Sequence, residues 1–195
     1  MSRIARFLAG SLLLAATLAL SACVTGPTVR TDADPTANFT QYRTWGFFQP
    51  IAMEQSGYSS WASERIKEDV RKEMESRGYR YAAEGADLLV NFHADVQDRT
   101  SVWSVPRSDV QWVYNYRSRN YVAIPFWYDE TVASTWREAT LTVDLVDGAR
   151  NRMVWTGSAS APEARRRTPE EKLATLDAAV SGIFAKYPHR GDGQP

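Results

Sequence analysis

The chain has 195 residues, 44% of them apolar, with 23 basic and 23 acidic side chains and one cysteine. That length supports one domain with a real hydrophobic core, and the balanced charge argues against a nucleic-acid partner. A lone cysteine excludes an internal disulfide framework and a cysteine-rich metal site.

Residues 1–22 have the three parts of an export signal: Arg3 and Arg6 in front, an uncharged Leu/Ala-rich run from Phe7 to Leu20, and small residues after it. The run is shorter than the roughly 20 residues that span a bilayer as a helix. Leu20-Ser21-Ala22-Cys23 resembles a bacterial lipobox, and the single cysteine sits at the position where lipidation needs it. The expectation is cleavage before Cys23, a diacylglycerol thioether on its sulfur and acylation of the freed amine, which together hold a protein stably on a membrane. Cleavage removes two basic residues and no acidic ones, leaving a formal charge of −2 on the mature chain. Val24, in place of the Asp that favours inner-membrane retention, points to the inner leaflet of an outer membrane, facing the periplasm.

Residues 23–37 read as the lipidated cysteine and a flexible tether, rich in Thr, Pro and Asp. Tyr42 to Phe48 are β-prone. A helix is expected from about Ser60 to Arg77, with Ala62, Ile66, Val70 and Met74 on one face, Ser60 as cap and Gly78 as terminator. Asp87 to Val96 alternates as a half-buried strand, as does Ala139 to Leu145, which turns at Asp147-Gly148 and returns over Met153 to Ser160. Thr168-Pro169-Glu170-Glu171 starts a last helix with a capping box and a proline at its first position. Leu173, Leu176, Val180, Ile183 and Phe184 form its apolar stripe, and a disordered tail follows over 189–195.

These elements predict a single α+β domain over 38–188. Its architecture is a two-layer sandwich with a mostly antiparallel sheet, in the order β-α-β-insert-β-β-α, and both helices on one face. The insert, about 97–136, concentrates Trp103, Trp112, Tyr114, Tyr116, Tyr121, Phe126, Trp127 and Tyr128, with Arg107, Arg117 and Arg119 among them. Alternation at Trp112, Tyr114 and Tyr116 fits a long aromatic hairpin extending the sheet. Two readings stay open: the rings pack on the exposed sheet face, or they present a partner surface.

The pattern resembles a bacterial lipoprotein family catalogued as domain of unknown function 4136. The resemblance rests on Asp34-Pro35, Phe39, Tyr42, Thr44-Trp45, Gly78-Tyr79, Ala86 to Val90, Leu141 to Asp147, Val154 to Gly157 and Tyr187-Pro188. It implies an envelope lipoprotein with an α+β domain and supplies no catalytic residues. Many relatives carry a Gly-rich aromatic stretch where this chain has its Arg- and Tyr-containing insert.

Chemistry-bearing motifs are few. There is no HExxH, GxSxG or glycine-rich phosphate loop. His93 and Asp95 lie on one side of a strand, but a catalytic zinc needs a third ligand and the other histidine, His189, falls in the tail. Asp87 and Asp144 occur in strands, where turn and ladder roles suffice, and Arg165-Arg166-Arg167 reads as a solvated loop. No metal or cofactor is expected, and no enzymatic activity. The expected role is a non-catalytic interaction module that binds an envelope protein through Trp112, Tyr114, Tyr116, Tyr121 and Trp127 and the adjoining sheet. The alternatives are a small-ligand or glycan receptor using aromatic stacking, and, behind it, an unrecognised hydrolase.

Overall fold

The computed structural model describes residues 26–163 and 166–188. The export signal, Cys23 and the expected tail from His189 onward lie outside the described residues. In chain order the elements are β1 (Thr28–Ala33), β2 (Thr44–Phe47), α1 (Trp61–Ser76), β3 (Arg80–Tyr81), β4 (Leu88–Asn115), β5 (Asn120–Asp147), β6 (Arg152–Pro162) and α2 (Pro169–Phe184). Short 3-10 turns stand at Phe39–Gln41 and Ala52–Glu54. The fold is α+β, with an open six-stranded sheet in the order β1-β6-β5-β4-β2-β3. Pairing is antiparallel except where β2 runs parallel to β3 and to β4.

Period-two alternation makes the core. Leu88, Val90 and Phe92 of β4 are fully buried, and Val143 and Leu145 oppose them on β5, while Asn91 and His93 point to the other side. Trp155 and Ala159 of β6 join the same cluster. Ile66, Val70 and Met74 of α1 and Val180, Ile183 and Phe184 of α2 complete it. Each such side chain contributes about 2 kcal/mol of apolar burial.

Local chemistry sets the helix ends. The Ser60 hydroxyl accepts the Ser63 backbone N–H at 3.1 Å, and Ser63 Oγ accepts the Ser60 N–H at 2.8 Å. Gly78 follows α1 at φ +82°, a left-handed conformation that costs other residues strain. At α2 the reciprocal pair is Thr168 with Glu171, and Pro169 occupies the first turn.

Three expectations are corrected. The tether expected over 23–37 contains β1, whose six residues pair with β6 from Thr28↔Ser160 to Ala33↔Trp155. Only Val29 within it turns inward, so the strand is held by the neighbour's ladder rather than by an apolar face of its own. Leu173 does not join the core: it opens the second turn of α2, exposed beside Trp61. Finally, the strands expected to stop near Val96 and to start near Ala139 are parts of one hairpin.

Candidate functional site

β4 and β5 each run for 28 residues and pair without a break from Leu88↔Asp147 to Asn115↔Asn120. β2 accompanies β4 only as far as Phe47↔Val90, and β6 reaches β5 only up to Glu138↔Pro162. Beyond Gln97↔Glu138 the hairpin therefore continues as a two-stranded ribbon, about 60 Å long at ~3.3 Å per residue. At its base the Arg137 carbonyl accepts the Glu163 N–H at 2.7 Å, and beyond it no strand pairs with either edge among the described residues. Tyr116, Arg117, Ser118 and Arg119 close it. Asn115 Oδ1 accepts the N–H groups of Arg117 (3.0 Å) and Ser118 (3.3 Å), and Arg119 adopts φ +50°.

The register assigns every ribbon side chain to a face. Trp112, Tyr114, Tyr121 and Trp127 share the face that, lower in the sheet, is covered by the helices. Tyr116 stands in the turn at 86% exposure, and Trp127 is 73% exposed. Tyr114 packs edge-on against Tyr121 and Tyr116 at 5.2 and 5.0 Å between centroids. The opposite face carries Trp103, Val113, Val122, Ile124, Phe126 and Tyr128, with Phe126 stacked on Tyr128 at 5.8 Å. The rings do not pack onto the sheet, because the ribbon carries them away from it. Of the five candidate residues, the structure gathers four on one face and one at the apex.

Sequence reasoning missed the apolar residues between these rings, Val110, Val113, Val122 and Ile124. The readable signal was the pair Asn115 and Asn120 bracketing a four-residue turn, with equal runs on either side. Among the described residues, the ribbon's ion pairs are confined to the shaft. Arg99 pairs with Glu138 at 2.9 Å and Arg107 with Glu130 at 2.6 Å, both across the ladder.

The sheet face away from the helices holds a trough of about 480 Å³ at the ribbon's root. Arg30, His93, Asp95, Arg99, Glu138 and Thr140 are among its lining residues. His93 stands opposite Thr142, and Asp95 opposite Thr140. No third ligand joins them: among the described residues no group of three or more His, Cys, Asp or Glu could hold a metal ion. The other charge clusters serve the fold. Asp87 Oδ2 accepts the N–H groups of Arg43 (2.8 Å) and Thr44 (2.9 Å), which hold its carboxyl below the usual range. Asp144 faces the open side of β5. Between the helices, Arg65 grips Asp177 through two nitrogens at 2.7 Å, which lowers the Asp177 carboxyl, while burial raises that of the adjacent Asp69. Of the arginine run, Arg167 is tied to Thr175 and the Pro162 carbonyl. Arg165 lies outside the described residues.

No described helix is long and apolar enough to cross a membrane. The profile of a family described as Domain of unknown function (DUF4136) matches residues 29–189. No curated protein matches the chain. Among solved structures, a PDZ domain protein from Parabacteroides distasonis ATCC 8503 is similar at 15% identity and a TM-score of 0.47, over 93% of this chain and 41% of that one. The chain thus spans about two fifths of that protein's length. A PelC dodecamer from Paraburkholderia phytofirmans is similar at 11% identity and a TM-score of 0.44, over 85% of this chain and 99% of that one.

Proposed function

The chain belongs to the DUF4136 family, and from the export signal and the lipobox-like Leu20-Ser21-Ala22-Cys23 we propose an envelope lipoprotein, anchored through Cys23 in the inner leaflet of the outer membrane. Its role is a non-catalytic interaction module that binds another envelope protein through the ribbon and the adjoining sheet. One observation carries this reading. The sheet face that the helices leave open runs without interruption onto one face of the ribbon, from His93 and Asp95 past Arg99 to Trp136 and Trp103. Such a surface joins polar hydrogen-bonding groups to half-exposed tryptophans, the mixture that protein contacts favour.

The test places a photo-crosslinking residue at Trp103 and at Trp136 in the native host. A discrete protein adduct from both sites supports the module. A folded, anchored protein that gives none from either site rules out this surface as the contact.

A second reading has its own observation, the polar trough at the ribbon's root. A sugar or small anionic ligand seated there would meet Arg30 and Arg99 and stack near Trp136. Saturable thermal stabilisation by envelope glycans would support it, and none across a broad panel would remove it.

A further inference from the structure

The last third of the ribbon differs in kind from the shaft. From Val110 to Tyr128 the sequence holds seven aromatic side chains, two arginines and no acid. The acids resume at once on either side, at Asp109 and Asp129. Six rows of paired residues, from Val110↔Pro125 to Asn115↔Asn120, make this tip about 20 Å long. Its apolar groups stand on both faces, with Trp112 and Tyr121 on one and Val113, Val122 and Ile124 on the other, and Phe126 and Trp127 follow in the next two rows, opposite Asp109 and Ser108. At the apex are Arg117 and Arg119, and neither has an acidic partner within ion-pair distance among the described residues.

The fold also fixes the side from which the tip projects. One row of residues crosses the sheet at the ribbon's root: Thr28 beside Ser160, Ser160 beside Thr140, Thr140 beside Asp95. β1 enters the sheet at that row, and Pro27 lies against the same groove as Val96 and Ala139. Cys23 precedes Thr28 by five residues, a reach of at most about 17 Å. The N-terminal attachment and the ribbon thus leave the body at one end.

We propose that residues 110–128 form a second membrane contact, in which the aromatic tip lies in the interfacial layer of a phospholipid bilayer and Arg117 and Arg119 meet anionic lipid phosphates. The proposal goes beyond the interaction-module reading and takes from it only the address of Cys23. A protein groove covers one face of a ribbon and leaves the other wet. A headgroup layer surrounds both faces, and it is where Trp and Tyr concentrate in membrane proteins. Two cations with no anion nearby suit an anionic surface. The unpaired backbone edges set the depth: hydrocarbon would strand their N–H and C=O groups, whereas the headgroup region keeps them hydrated. Strand addition by a second copy is disfavoured, since Pro106 and Pro125 each leave a gap in an edge where an added strand would lose a hydrogen bond.

The test uses the full chain in its native host, with a diazirine amino acid at Tyr116, at Tyr121 or at Thr131 on the shaft, and mass measurement of each adduct. Phospholipid adducts at Tyr116 and Tyr121 and none at Thr131 are expected. Arg117→Gln and Arg119→Gln should each lower the lipid yield about fivefold, and joint Trp112→Ser, Tyr121→Ser and Trp127→Ser should abolish it while the circular-dichroism spectrum holds. A protein adduct at the tip, a self-adduct, no adduct, or equal lipid labelling at Thr131 each overturns the proposal. Adducts from Trp103 and Trp136 report on the protein contact independently, so the two readings fail separately.

Discussion

Asp147 ends β5 almost out of solvent and is kept there by four contacts. The Tyr42 hydroxyl donates to it at 2.8 Å, the Arg150 backbone N–H at 2.8 Å and Arg150 Nε at 2.9 Å, while Arg150 Nη2 lies 2.8 Å away. Burial pushes its carboxyl up, but these donors together hold it below the ordinary carboxylate range. Asp87 is depressed too, by the backbone N–H groups of Arg43 and Thr44. Both groups are thus depressed in the folded state, so their stabilisation is present above the unfolded carboxylate pKa and is lost as pH falls through the folded value. Asp87→Asn should therefore flatten the fall of the urea midpoint on acidification, and an unchanged acid slope would contradict the assignment. Asp147→Ala should cost about 2 kcal/mol at neutral pH, because it strips the acceptor from a buried tyrosine hydroxyl. A third residue sets a close approach. A Cβ on Gly157 would fall 2.6 Å from both Ile183 Cγ2 and the Trp155 ring. Gly157→Ala should destabilise by about 1–3 kcal/mol in urea unfolding, since neither neighbour has room to move. Roles of this local kind divide by how far apart the partners are. The caps at Ser60 and Thr168 were legible because each partner lies three residues away. The Tyr42–Asp147 bond spans 105 positions and leaves no local pattern.

At the level of elements, legibility followed burial. The strands under the helices announced themselves because one face is apolar and the other polar, as at Leu88, Val90 and Phe92. β1 was not legible: its residues are nearly all exposed, and only the ladder with β6 makes it a strand. The hairpin was legible in its alternating aromatics, but its unbroken continuity with the core strands hid for a related reason. Period-two alternation needs one buried face, and here both faces meet solvent and the tip is apolar on both, so the aromatics showed without their continuous register. The same fact predicts independence. All core members of β4 and β5 lie between Leu88 and Phe92 and between Leu141 and Leu145. Replacing residues 98–137 by Asn-Gly, a turn that suits a tight hairpin, should leave the urea-unfolding free energy of the body within about 1 kcal/mol of the full chain. A larger loss would mean that the ribbon braces the sheet.

For the whole molecule, the decisive feature is that the N-terminal strand, which follows the proposed attachment at Cys23, and the ribbon share one end. The helices lie over the sheet, while the N-terminal strand and the hairpin both open at the row of Thr28, Ser160, Thr140 and Asp95. With the proposed lipid on Cys23, at most about 17 Å of chain separates that row from the membrane, so the ribbon leaves the body on the membrane side. This geometry makes accessibility of the apex a report on the whole arrangement. Arg117 and Arg119 stand in an exposed turn, whereas several arginines of the body are drawn into ion pairs, among them Arg65–Asp177, Arg77–Glu73 and Arg150–Asp147. Brief trypsin treatment of the purified chain in detergent should cut first at the apex, since exposed turns are the preferred sites of nicking. The two halves should remain associated through the β4–β5 and β1–β6 ladders, and the thermal transition should be unchanged. On vesicles of equal parts phosphatidylethanolamine and phosphatidylglycerol, the same cut should slow by about tenfold or more, because a turn seated among headgroups cannot enter a protease cleft. Cutting at equal speed in detergent and on vesicles would place the apex in water, and the ribbon would then be an arm held clear of the surface that anchors it.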